Sequence, residues 1–160
     1  MAEEGESLDL NSLEFRRLSP ELENSLAKFF DVLRTAGDSG HFHPHPFTAE
    51  EAKIRCSYQG DDLYYVAVAE GAVQAYGMLR GWDEGYEVPS LGIAVHPRAR
   101  GMKIGSAMMH FLHNAARQRG AKRIRLKVYK ENVVAYRMYE KLGYRFEEQQ
   151  GEQLVGFIEI

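Results

Sequence analysis

Seven consecutive residues, Arg100-Gly101-Met102-Lys103-Ile104-Gly105-Ser106, follow an apolar, β-branched run and lead directly into a helical pattern. At such a junction successive backbone N–H groups point at one place, where the helix dipole also favours negative charge. Gly101 and Gly105 remove side chains where an anion must approach the backbone, and Arg98, Arg100 and Lys103 add positive charge. A diphosphate suits this loop in charge and shape. On these residues alone, a glycine-eased turn flanked by solvated arginines is the competing reading. The familiar nucleotide signatures do not apply, because the glycines at 101 and 105 close too early for G-x-x-x-x-G-K-[ST] and no G-x-G-x-x-G follows a strand.

Other residues offer weaker chemistry. His41, His43 and His45 stand two apart, and His43 and His45 precede prolines, which pushes them to extended geometry and places the three imidazoles on one side. They could hold a metal, line an acceptor pocket or simply pack in a loop. No carboxylate or thiolate pattern accompanies them, so no metal is expected. His96, His110 and His113 read as strand-end and helix-surface residues. Asn132 precedes a helical stretch in the manner of a cap, and Tyr139 lies at helical spacing, where packing is the ordinary role. Cys56 is the only cysteine, which excludes an internal disulfide or a thiolate zinc ribbon and fits a reducing compartment.

The elements that must carry these residues follow from periodicity. Leu13 and Phe15 alternate with charged residues as a short strand, and Ser19-Pro20-Glu21 opens a helix bearing Leu22, Leu26, Phe29, Phe30 and Leu33. Gly37 to Gly40 break it, and Thr48 starts a second short helix that reaches about Cys56. Leu63 to Ala69 and Ala72 to Leu79 form a hairpin over Glu70-Gly71, and Val88 to His96 is a third strand in that region. Apolar positions from Ile104 to Ala115 recur three or four apart, giving a helix that Gly120 stops. A strand over Ile124 to Val128, a helix from Asn132 to Leu142, and strands over 144–146 and 154–160 complete the chain. This order predicts an α+β (α/β) domain: one sheet with helices on its faces.

Composition sets the outer limits. With 160 residues there is room for one domain, read as 13–160 behind an acidic, solvated tail at 1–12. Hydrophobic residues at 44% and charged residues at 27% place the chain in the folded globular class. A formal charge of -3 opposes a polyanionic partner, so nucleic acid is set aside. No run approaches the roughly 20 apolar residues needed to span a bilayer, and the expectation is a cytoplasmic protein with no membrane partner.

The loop and its surroundings resemble the GNAT superfamily of acetyl-CoA-dependent N-acetyltransferases, over roughly residues 88–146. Arg100 and Gly105 match the first and last positions of the family signature [RQ]-x-x-G-x-[GA], while Lys103 stands where its first glycine is expected. Ile93-Ala94-Val95-His96-Pro97 is similar to the preceding strand and turn, and Asn132, Ala135, Tyr139, Gly143 and Tyr144 match a second block. The resemblance implies a mixed, mostly antiparallel sheet of about seven strands with about four helices. It also implies that acetyl-CoA lies along Ile93, Ala94 and Val95, where the Ile93 N–H faces the thioester oxygen. The diphosphate would rest on the amides of Arg100, Gly101, Met102, Lys103, Ile104, Gly105 and Ser106, with Asn132 as a further contact.

In the same terms Tyr139 is the general acid toward the departing thiolate. The positions where relatives often carry a base hold Pro89 and Leu91, so Glu87 is the nearest titratable candidate, an exposed carboxylate being its alternative. The implied activity is direct acetyl transfer to a primary amine, small molecule or peptide, with a homodimer left open. A non-catalytic acyl-CoA sensor is the alternative class.

Overall fold

Period-two and period-3.6 patterns sort the apolar residues onto the two faces of one sheet. The computed structural model describes residues 8–37, 42 and 44–160. Its strands are β1 (Glu14–Arg17), β2 (Leu63–Ala69), β3 (Ala72–Arg80), β4 (Ser90–Val95), β5 (Arg123–Tyr129), β6 (Arg145–Gln150) and β7 (Gln153–Glu159). The helices are α1 (Glu23–Thr35), α2 (Ala49–Cys56), α3 (Ile104–Gln118) and α4 (Val133–Leu142). The seven strands are ordered β1-β2-β3-β4-β5-β7-β6, antiparallel throughout except for the parallel β4 and β5. The expected fold class is therefore observed.

One core lies under α3 and α4, where Met108, Leu112, Ile124, Leu126 and Tyr139 are buried. The other lies under α1 and α2, around Leu26, Phe29, Phe30, Val66 and Tyr76. Full burial of each such side chain contributes about 1.5–3 kcal/mol. The predicted hairpin turns at Glu70 and Gly71 with φ of 53° and 73°, both in the left-handed region that a type I′ turn requires. Of the anticipated tail, residues 1–7 lie outside the described residues, but Leu8 is buried in the α3-side core and Asp9 caps a 3-10 turn over Leu10–Ser12. The packed chain thus begins earlier than Leu13.

One strand departs from its sequence reading in a way that matters. β4 starts at Ser90, not Val88, because Pro89 has no N–H to donate to a ladder. Glu87 consequently sits in the β3–β4 loop, and strand alternation does not extend to it.

Candidate active site

β4 and β5 are joined at one end and open at the other. Their only register pair is Ser90 with Arg125, supported by the Arg125 N–H donating to Pro89 O at 3.0 Å. Two bonds fix how the β4 backbone faces the opening: His96 N–H donates to Gln74 O on β3, whereas the Pro89 carbonyl points to β5. Peptide groups alternate along a strand, so Leu91, Ile93 and Val95 direct their N–H and C=O groups toward β5. The Leu91 N–H closes the Ser90–Arg125 pair, and beyond it no register pair with β5 meets Ile93 or Val95. The result is a wedge with unpaired β4 backbone along one wall.

The 100–106 loop stands at the open end. Gly101 has φ 78° and Lys103 φ 63°, so the chain passes twice through the left-handed region before α3 begins. For Lys103 this costs on the order of 1 kcal/mol, the strain that glycine at this position would avoid. The amides of Ile104, Gly105 and Ser106, in the first turn of α3, have no intrahelical acceptor. A Cβ on Gly105 would lie 3.4 Å from Val95 Cγ2 and 3.7 Å from Met138 Sδ. The start of α3 thus lies between β4 and α4, where a methyl group at 105 would be in ordinary contact with both. This cradle suits a diphosphate: amides at a helix start, two backbone residues in left-handed geometry, and the exposed Arg98, Arg100 and Lys103 around it.

α4 brings Tyr139 to the same side. Asn132 caps the helix by accepting from the Ala135 N–H at 3.3 Å, and Gly143 ends it at φ 107°. Tyr139 is buried in the core against which Ile93 and Val95 pack, and burial pushes its phenol up to about 12. Its hydroxyl has no hydrogen-bond partner among the described residues. Beside it, Tyr144 shares a 2.8 Å bond with His113 Nε2, and burial, helped by the Arg117 and His110 charges, lowers His113 to about 4. His113 is therefore an interior residue of the α3 side, not the helix-surface residue that its sequence position suggests.

Across the sheet plane, a cavity of about 1030 Å³ opens beside the lower half of β4. Ser90, Leu91 and Gly92 line it from β4, Glu84 and Glu87 from the preceding loop, and Arg125, Lys127 and Tyr129 from β5. That loop is held in place by Asp62, which accepts from the amides of Gly81 and Trp82, both at 2.9 Å. Glu87 is exposed but lines the cavity. Of the histidine tract, His41 and His43 lie outside the described residues, whereas Phe42 and Pro44 line the cavity. His45 does not share that lining. It is buried, with Nε2 2.8 Å from the Tyr76 hydroxyl and Nδ1 2.8 Å from Pro46 O, and burial lowers its pKa.

Sequence reasoning missed Arg80, Arg125 and Lys127, all of which face the cavity. The only available signal was the alternation of Arg125 and Lys127 with the buried Ile124, Leu126 and Val128, which reads equally well as a solvated strand face.

The acetyltransferase (GNAT) family model matches residues 25–144 of the chain. Solved structures repeat the fold at low identity. The PaiA N-acetyltransferase of Thermoplasma acidophilum, in complex with coenzyme A, is 19% identical with a TM-score of 0.78, over 93% of this chain and 99% of that one. A GCN5-related N-acetyltransferase from Kribbella flavida is 21% identical with a TM-score of 0.77, over 95% and 100%. The ribosomal-protein-S18-alanine N-acetyltransferase of Escherichia coli is 18% identical with a TM-score of 0.69, over 92% and 94%.

Proposed function

The chain belongs to the GNAT acetyltransferase family, and from that premise we propose that it transfers an acetyl group from acetyl-CoA directly to a primary amine in a ternary complex. The observation that carries this reading is the β4–β5 wedge, which is closed at Ser90, open toward the 100–106 loop and walled by unpaired β4 backbone. Acetyl-CoA supplies the activated acyl carbon. The pantetheine arm adds to the edge offered by Ile93, Ala94 and Val95, and its diphosphate takes the amides of Arg100, Gly101, Met102, Lys103, Ile104, Gly105 and Ser106. Asn132, which caps α4, is assigned a further contact with CoA. Bound coenzyme A in the Thermoplasma relative supports this assignment.

The remaining chemistry is proton handling. Glu87, directly or through one water, accepts a proton from the acceptor ammonium, leaving a neutral nitrogen to attack the carbonyl carbon. The Ile93 N–H stabilises the charge that develops on the carbonyl oxygen. As the C–N bond forms and the C–S bond breaks, Tyr139 donates its phenolic proton to the departing sulfur. The second nitrogen proton restores the phenol through water. A phenol with a pKa near 12 is fully protonated at neutral pH and thus able to donate.

The buried, apolar Pro89 and Leu91 at the customary base positions favour one other reading, a CoA-binding module without turnover. Thiol release from acetyl-CoA in the presence of amino acids, amino sugars, polyamines and peptides separates the two. Acceptor-dependent release is expected. CoA binding with no release above the hydrolytic background for any amine would select the module.

A further inference from the structure

The cavity carries both signs of charge, with Glu84 and Glu87 on the loop before β4 and Glu148 on β6. Arg80 from β3 and Arg125 and Lys127 from β5 face it from the sheet. None of the three forms an ion pair with a carboxylate among the described residues, although the whole chain has a formal charge of -3. Their neighbours show that pairing is otherwise usual on this sheet. Arg123, two residues before Arg125 and on the same face, is held by Glu159 at 2.9 Å and Glu147 at 3.5 Å and lies over the Phe157 ring. Lys127 and Glu148 share a row across β5, β7 and β6 with Val155 between them. Two strand spacings, about 10 Å, keep that pair apart. Arg125 is half-buried and is aligned with Ser90 at the closed end of the wedge, next to where the acyl carbon would be delivered. The carboxylates of Glu84 and Glu87 lie opposite, on the loop that Asp62 anchors.

Arg80 already donates to Pro44 O at 2.9 Å, which leaves Arg125 and Lys127 as the cations open to an anion; a guanidinium and an ammonium two residues apart on one strand face suit a carboxylate. The facing glutamates suit the ammonium that must lose its proton. From this we propose that the acceptor is a zwitterion: an amine that also bears a carboxylate, held by Arg125 and Lys127 while its nitrogen is turned toward Glu87. The inference rests on the acetyl-transfer reading and goes beyond it by naming the acceptor class. The cavity is large enough for either a free amino acid or a short peptide with an acidic side chain, and both carry the required pair of charges.

The test measures kcat/KM with acetyl-CoA for matched acceptors: amino acids, their carboxamides, acidic and neutral peptides of equal length, and polyamines. Acceptors that keep the carboxylate are expected to exceed their amide or neutral counterparts by about 10- to 100-fold, the weight of a charge-assisted contact. Arg125→Gln should collapse that ratio toward one. Lys127→Gln, at an exposed position, should reduce it as well, and CoA affinity measured in parallel shows that each variant is folded. A higher rate for free amino acids than for peptides identifies the small-molecule source, and the reverse order the peptide. Turnover that is indifferent to the carboxylate, or highest with polyamines, overturns the zwitterion alone. CoA binding with no amine-dependent release overturns the transfer reading and this inference together.

Discussion

On one side of β4 the molecule presents backbone, and on the other it presents side chains. The wedge and the 100–106 loop use peptide groups of Leu91, Ile93 and Val95 and the first turn of α3, positioned by two left-handed residues and a strand that parts from its neighbour. The cavity uses Arg80, Arg125, Lys127, Glu84 and Glu87, drawn from three separate segments. A backbone site can recognise a constant ligand on many sequences, because any residue supplies an N–H. A side-chain site changes with each substitution, which is where a family with many acceptors must vary. Each side also has a buried histidine whose Nε2 lies 2.8 Å from a tyrosine hydroxyl: His113 with Tyr144 under α3, and His45 with Tyr76 under α1 and α2.

The most direct way to break the backbone side alone is Gly105→Glu. A Cβ there is in ordinary contact with Val95 and Met138, and the added carboxylate opposes a diphosphate at the helix start. CoA binding by calorimetry should disappear while circular dichroism stays native. Unchanged affinity in the folded variant removes the loop from the site. Next in size is Tyr139→Phe, which keeps the ring packing and removes only the hydroxyl. The expected loss is about 10²- to 10⁴-fold in kcat, with little change in the KM for acetyl-CoA. Normal turnover would leave Tyr139 with packing as its sole role.

On the cavity side, Glu87→Gln tests the base. We expect kcat/KM to fall by about 10²-fold. His45 cannot substitute, since both ring nitrogens are engaged in the core. If Glu87→Gln keeps the wild-type rate while His43→Ala loses it, the assignment moves to the histidine tract.

The same division explains what the sequence made legible. The loop, the cap at Asn132 and the stop at Gly143 are local: each depends on a few adjacent residues with conformational requirements, so spacing alone located them. Lys103 in left-handed geometry shows that the geometry tolerates a departure from the glycine pattern. The strand bounds of β4 failed at Pro89, where one absent N–H outweighs a run of strand-forming residues. Arg125 and Lys127 could not be distinguished from a solvated strand face, because the cavity over them is enclosed by Phe42, Glu87 and Phe157, residues far away in sequence. His113 was misplaced, and the choice among the readings of His45 was left open, for the same reason. Their tyrosine partners are each 31 residues distant.

A smaller effect is expected from acid. His113 has a folded pKa of about 4, below the unfolded value near 6.5, so the stability from its neutral form is fully present above about pH 6.5. That contribution is lost as pH falls through 4 and amounts to at most about 3 kcal/mol. His45 shifts in the same direction, so both sides of the sheet weaken together. Denaturant titrations at pH 7, 5 and 4 should show a steeper decline for wild type than for His113→Leu, whose apolar side chain has no proton to gain. Parallel declines in the two proteins would show that His113 does not couple folding to protons.

The finest discrimination between the two sides comes from Gly92→Ala. Gly92 lies in the middle of β4, and a Cβ there would come within 2.9 Å of Phe42 Cε2 and 3.2 Å of Met78 Cγ, displacing both toward the cavity. The neighbouring residues Leu91 and Ile93 carry the peptide groups that face the wedge, and a methyl group at 92 projects away from it. Phe42 meets the methyl with the far end of a flexible side chain, so the ring turns aside at a modest cost, within the 1–3 kcal/mol range of overpacking. The acceptor KM should therefore rise on the order of 3- to 10-fold, with a much smaller change in the affinity for CoA. A change of equal size in both constants would mean that the two sides of β4 are not independent, and that the strand transmits a cavity-side perturbation into the wedge.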